Sequence, residues 1–153
     1  MRPVRVSVRA VVRRAGKLLV TKEVDAEGPY YILPGGAQEP GEPLDETARR
    51  ECREEIGAEV EVGGLLWVRD VVHRNHARMG DPESEVHQLE FFFRCTLLGD
   101  GELGSATAID AGQVAVEWLD PRTLPARRFY PVTLRALLAA EDPVGPVYLG
   151  DAG

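Results

Sequence analysis

Val4, Val6, Val8, Ala10 and Val12 alternate with Arg5, Ser7, Arg9 and Val11 at the start of the chain. A period of two predicts a half-buried strand, because successive side chains leave a strand on opposite faces. A turn at 14–16 leads into a second apolar run, KLLVTK at 17–22. YYIL at 30–33 is short and strand-like, and Pro34-Gly35-Gly36 ends it. LLWVRDVV at 65–72 and EVHQLEFFFRCTLL at 85–98 carry the β-branched and aromatic residues of strands, with VAVEWL at 114–119 as a last one. On the strand at 85–98, His87, Leu89 and Phe91 share one face, and Gln88, Glu90 and Phe92 the other. The polar stretches 73–84 and 99–112 read as loops. The pattern predicts two helices. The first follows Pro43 and stops at Gly57; the second is short and covers 131–142. Neither a repeat nor a linker divides the chain, so residues 1–142 read as one domain and 143–153 as a loose tail. Strands broken up by helices predict an α/β fold, a mixed sheet with helices on its faces.

The first helix contains a conflict. At about 100° per residue, Leu44, Ala48, Cys52 and Ile56 form an apolar stripe from roughly 0° to 120°. On that wheel Glu55 falls near 20°, inside the stripe, Glu51 near −20° at its edge and Glu54 near −80°. Like charges one turn apart cost a few tenths of a kcal/mol each even in water. Burying such charges raises the penalty to several kcal/mol unless something offsets it. A divalent cation does so, and Mg²⁺ takes carboxylate, water and phosphate oxygens. The competing reading is a solvated helix face with Arg49 and Arg53 as partners.

Composition narrows the field. The chain has 153 residues, 18 Lys and Arg against 25 Asp and Glu, and a net charge of −7. Such a balance disfavours a broad nucleic-acid or anionic-membrane surface. No apolar run has the roughly 20 residues of a membrane helix, and the N-terminus lacks a signal-peptide core. Cys52 and Cys95 have no metal-type spacing and read as small buried residues of a reducing compartment, so a cytoplasmic location is expected.

Gly36, five residues, Glu42, seven residues and then Arg50-Glu51-Cys52-x-Glu54-Glu55-x-Gly57-Ala58 resembles the Nudix box, with every fixed position filled and LPGG at 33–36 before it. The box covers a small part of the chain. The resemblance implies an α/β/α sandwich and a hydrolase that cleaves a pyrophosphate bond in a nucleoside diphosphate derivative, a nucleotide sugar such as ADP-ribose or a nucleoside triphosphate. It implies Mg²⁺ or Mn²⁺ held by Glu51, Glu54, Glu55 and the carbonyl of Gly35. Arg50 would hold a glutamate in place, Glu42 being one candidate, and Glu54 would be the general base, with Glu51 and Arg50 beside it in the catalytic set. A small-molecule nucleotide is the expected partner. A homodimer is also implied, with the edge of the first strand and the loop 73–84 as candidate surfaces. Two other readings keep the fold and change the role: a non-catalytic nucleotide sensor, and a pyrophosphohydrolase of RNA 5′ ends.

Outside the box the sequence says less. The acid that many relatives carry before an aromatic-ended strand is missing; Gly112 and Gln113 stand there, leaving Asp110 and Glu117 as substitutes. Glu90 reads as an exposed strand residue, or as a further acid if its face turns toward the helix. His73 and His76 alone are too few for zinc. The proline that marks many ADP-ribose pyrophosphatases is absent, His73 lying near that place. Tyr30, Tyr31, Trp67, Phe129 and Tyr130 are candidates for base stacking. Arg69, Arg74, Arg127 and Arg128 are candidates for phosphate contact. Trp67, Phe91, Phe93 and Trp118 read first as core.

Overall fold

The computed structural model of the chain describes residues 2–99 and 113–153. Strands β1 (Arg5–Arg14) and β2 (Lys17–Asp25) form a hairpin, and β3 (Gly28–Ile32) and β4 (Gly35–Ala37) lead into helix α1 (Leu44–Ile56). Strand β5 (Val60–Val72) is followed by two short 3₁₀ turns, then by β6 (His87–Leu97) and β7 (Gln113–Leu119). A 3₁₀ segment, Pro121–Ala126, precedes helix α2 (Thr133–Ala139), and β8 (Tyr148–Asp151) closes the chain.

The strands form one mixed sheet in the order β3-β2-β1-β6-β5-β8, with β4 paired to β1 and β7 to β2. β1 runs parallel to β6, from Arg5 opposite Gln88 to Val12 opposite Cys95. β5 and β8 are also parallel. Ala10, Val12 and Leu19 pack with Cys52 and Ile56 of α1 on one face. On the other, Val11, Leu18, Val20 and Phe92 pack with Leu124, Phe129, Leu134 and Leu138. Helices therefore cover both faces of the sheet, which is the expected α/β/α sandwich. Burial of each large apolar side chain in these layers contributes about 1.5–3 kcal/mol.

Four details depart from the sequence reading. Val11 breaks the alternation of β1 and is buried with its neighbours, because both faces of this central strand are covered. Among the three consecutive phenylalanines Phe92, not Phe91 or Phe93, is the fully buried one, since the second helical layer lies over its face. The edge of the first strand is not a free surface: β1 lies between β2 and β6. The segment after Pro143, expected to be loose, carries β8, held to β5 by pairing and by Val72 N–H and Asn75 Nδ2 donating to Asp151. Among the described residues no helix is long and apolar enough to cross a membrane.

Candidate active site

The site begins with two glycines pressed between β1 and α1. Gly35 has φ 155°, and a Cβ there would stand 2.0 Å from the Val8 carbonyl oxygen. A Cβ on Gly36 would stand 2.4 Å from Glu51 Oε1. Glycine is required at the first by backbone and at the second by a carboxylate. Helix α1 then starts from Pro43, whose extended backbone supplies no side-chain cap. Glu42, one residue earlier, ties the helix to the loop before it: its Oε1 accepts from Thr47 Oγ1 at 2.7 Å and from Glu39 N at 3.2 Å. Gly57, at φ 62°, ends the helix in the left-handed conformation that a side chain resists.

Arg50 is the hub of the box. Its Nε donates to Glu42 Oε2 at 2.7 Å and its Nη2 to Glu42 Oε1 at 3.0 Å, a two-pronged guanidinium–carboxylate pair. Its Nη1 reaches Glu51 Oε1 at 3.0 Å and Glu54 Oε2 at 3.3 Å, and Nη2 also donates to the Ala37 carbonyl at 2.9 Å. One cation thus ties the loop before α1 to two glutamates on it. Of the candidates for what Arg50 holds, Glu42 is the one gripped through both oxygens.

The Arg50 guanidinium, with Thr47 and the Glu39 N–H, pulls the Glu42 carboxyl down to about 2 from its ordinary 4.5. A carboxyl whose pKa is lower folded than unfolded stabilises the fold above its ordinary pKa and stops doing so as pH falls through the folded value. Wild type is therefore expected to lose melting temperature more steeply than Glu42→Gln between 4.5 and about 2, the window set by these two values. Parallel acid profiles for the two proteins in a thermal-melt series would show that this pair contributes nothing.

The glutamates of the conflicting helix face have three different surroundings. Glu55 is 3% exposed, inside the stripe as its angle requires, and its Oε2 accepts from Gly35 N at 3.1 Å. Glu51 is mostly covered, against Gly36 and Arg50. Glu54 lies nearer the surface. Thus Glu51 and Glu55 sit beside the glycine pair, where the Gly35 carbonyl also lies, and Arg50 draws Glu54 in from outside. These donors are all hard oxygens and suit Mg²⁺ or Mn²⁺. The space a Cβ would fill over Gly36 leaves one carboxylate close against the backbone. Among the described residues no three acidic, histidine or cysteine side chains are already gathered as a cation cage.

A second charged cluster adjoins the first. Glu90 is buried, not exposed: Arg69 Nε and Nη2 reach its Oε1 at 2.9 and 2.8 Å, and Arg9 Nε and Ser7 Oγ reach its Oε2 at 3.2 and 3.1 Å. Burial works against the charge of Glu90, but the two arginines outweigh it and hold its pKa below the usual carboxylate value. Burial also opposes the charge of Arg9; Glu90, Glu55 and Glu51 more than offset that and raise its pKa. Arg9 therefore couples the two clusters electrostatically. Arg9, Arg69 and Glu90 line a pocket whose other walls include Phe92, Tyr30 and Tyr130. The face of β6 bearing Gln88, Glu90 and Phe92 is the one that looks into it.

The other candidates scatter. Asp110 and Gly112 lie outside the described residues. Glu117 ion-pairs with Lys22 across the β2–β7 ladder. Gln113 does meet the end of α1, its Nε2 donating to the Glu55 carbonyl at 3.3 Å. His76 pairs with Asp151, whereas the buried Nε2 of His73 has no partner among the described residues. Trp67 and Phe129 belong to the core, and Tyr31 packs against it. Arg128 is bound to Asp25, Arg127 to Thr123, and Arg74 is exposed. Arg9 and Arg78 of the pocket went unnoticed in the sequence. The signal for Arg9 was its place on the polar side of β1, which reads as solvent-facing until the parallel partner β6 is known.

The model of the NUDIX domain family matches residues 1–139. The chain is 32% identical over 96 residues to a nucleoside triphosphatase, NudI, of Salmonella heidelberg (strain SL476), covering 60% of this chain and 67% of that one. It is 30% identical over 96 residues to the NudI nucleoside triphosphatase of Enterobacter sp. (strain 638), with the same coverage. Among solved structures, a NUDIX hydrolase from Nitrosomonas europaea superposes with a TM-score of 0.72 at 20% identity, over 98% of this chain and 81% of that one. An ADP-ribose pyrophosphatase from Streptococcus suis 89-1591 superposes with a TM-score of 0.64 at 20% identity, over 95% and 98%. At such identities the superpositions speak for the fold alone.

Proposed function

The chain belongs to the Nudix hydrolase family and is a pyrophosphohydrolase, and from that premise we propose that it cleaves a nucleoside triphosphate, or another nucleoside diphosphate derivative, with the help of Mg²⁺ or Mn²⁺. One observation carries the reading. The carboxylates of the box, gathered around Arg50 and the glycine pair, adjoin through Arg9 a pocket with a cationic floor and an aromatic wall. That arrangement suits a diphosphate at one end and a nucleoside at the other. The two NudI relatives favour the triphosphate over the nucleotide sugar.

Glu51, Glu54, Glu55 and the Gly35 carbonyl would hold the cation. When bound, it supplies charge neutralisation for the diphosphate oxygens and a more acidic water. Glu54, the member of the set that solvent reaches, would accept the proton of the attacking water on its carboxylate. Arg50 orients Glu51 and Glu54 from the helix side. Arg9 and Arg69 face the phosphates, and Glu90 keeps both guanidinium groups in place.

The test is a substrate panel of nucleoside triphosphates, ADP-ribose and other nucleotide sugars, dinucleoside polyphosphates and triphosphate-ended RNA, each with Mg²⁺, with Mn²⁺ and with chelator. The expected result is conversion of a triphosphate to monophosphate and pyrophosphate that stops in chelator. Cleavage of the sugar nucleotide or the RNA end alone would keep the chemistry and change the substrate. Tight nucleotide binding with no cleavage under any condition would make the protein a sensor.

A further inference from the structure

The pocket has two chemically different ends. Arg9 and Glu90 mark the end beside the box, and Tyr30 and Tyr130 the far end, their ring centroids 5.8 Å apart and their planes at 68°. Arg78 lies against both rings, to one side of the line that joins them. Its guanidinium carbon stands 3.4 Å from the centroid of Tyr130 and 5.5 Å from that of Tyr30. Two further arginines approach Tyr130, Arg135 at 5.5 Å and Arg128 at 5.8 Å. Both are fastened elsewhere: Arg128 to the Asp25 carboxylate and Arg135 to the Phe129 carbonyl. Arg78 is not. Among the described residues no carboxylate or backbone carbonyl takes a hydrogen bond from it, and the 3₁₀ turn that carries it, Ala77–Met79, buries none of its residues.

We propose that the face of Tyr130 now covered by Arg78 is the seat of the substrate's nucleobase. A guanidinium is planar and delocalised and stacks on a ring much as a base does. Here the guanidinium and the ring it covers both line the pocket. An exposed cation–π contact is weaker than base–aromatic stacking, and an exposed turn with no buried side chain yields at little cost. A base entering the pocket therefore displaces Arg78 from the ring. With the base on Tyr130, the phosphates run over Arg69 and Arg9 toward the glutamates, where the lining carries Arg9, Arg69 and Arg78 against the single carboxylate of Glu90.

This inference rests on the nucleotide reading above, and its test measures binding without turnover. Calorimetric titration with Mg²⁺ compares two ligands: a nucleoside triphosphate whose α–β bridging oxygen is replaced by methylene, and methylenediphosphonate, which has no base. Stacking of ordinary strength corresponds to roughly tenfold in affinity. Tyr130→Ala is expected to weaken the nucleotide analogue by about that factor and to change methylenediphosphonate less than about twofold. Tyr130→Phe keeps the ring and should bind like wild type. Tyr130→Leu keeps bulk without a ring and should match the alanine variant, which covers the case in which alanine disturbs the fold. Equal weakening of both ligands would mean that Tyr130 only props up the phosphate arginines. That result, unchanged binding in Tyr130→Leu, a phenylalanine variant as weak as leucine, or a wild type that does not bind the analogue would each overturn the proposal. A wild type that binds through Tyr130 but cleaves nothing would instead overturn the hydrolytic reading and leave the seat in place.

Discussion

Glu54→Gln is expected to cut turnover at least a hundredfold while leaving the metal-free protein as stable as wild type. General-base catalysis is worth about 10²–10⁴ in rate, and an amide takes no proton in its place. The stability half depends on small opposing terms. Glu54 receives one hydrogen bond from Arg50 at 3.3 Å and is a third exposed, at 33%. An exposed pair of this kind contributes about 0.5 kcal/mol at most. Against it stands repulsion from Glu51, three residues earlier on the same helix, worth a few tenths of a kcal/mol. The two nearly cancel, so melting in chelator should shift by no more than a degree or two. Saturating Mg²⁺ should raise the melting temperature of wild type more than that of the variant, because a ligand stabilises by its affinity for the folded state. A variant that melted far below wild type in chelator would show Glu54 to be structural.

The glycine pair should separate fold from function within two adjacent residues. Gly35→Ala places a Cβ 2.0 Å from the Val8 carbonyl oxygen and 2.8 Å from the Arg9 Cα. Both are backbone atoms of a central strand and cannot move alone, and the φ of 155° is itself strained for a side chain. The expected cost is about 3 kcal/mol or more, a drop on the order of 10 °C in melting temperature. The three atoms nearest a Cβ placed by Gly36→Ala all belong to the Glu51 carboxylate, with Oε1 at 2.4 Å. A side-chain carboxylate can swing away, so the fold should persist with melting near that of wild type, while turnover falls by about 10–100-fold because Glu51 is misplaced. Equal melting temperatures for the two variants would refute the distinction.

Much of this site was legible before the fold was known. Helix periodicity alone placed Glu55 inside an apolar stripe, and it is buried there. The fixed gaps of the box brought Glu42 within reach of Arg50, eight positions later, because a loop and two helical turns return the chain to the same side. Other features were hidden because they depend on pairing between distant strands. Ser7 stands opposite Glu90 in the β1–β6 ladder, 83 residues away, so the polar side of β1 reads as a solvent face until a parallel partner sets Ser7 and Arg9 against Glu90 and makes Arg9 part of a pocket wall. The strand at β8 was unreadable for a similar reason. Tyr148–Asp151 is a short run among prolines and glycines, and only the open edge of β5 makes it a strand.

The parallel pairing of β1 with β6 also has a consequence for how the chain is made. Residues emerging first can form the β1–β2 hairpin and bring β4 against β1, but the other side of β1 stays open until His87–Leu97 have been synthesised. Through that interval a central strand of the sheet presents unpaired amides and carbonyls to the solvent, a template for association with other chains. Contacts across so long a stretch of chain also form slowly. The hazard to yield therefore lies in the nascent chain, and slower synthesis at lower temperature or a chaperone that shields strand edges should raise the soluble fraction more than any mutation of the finished surface.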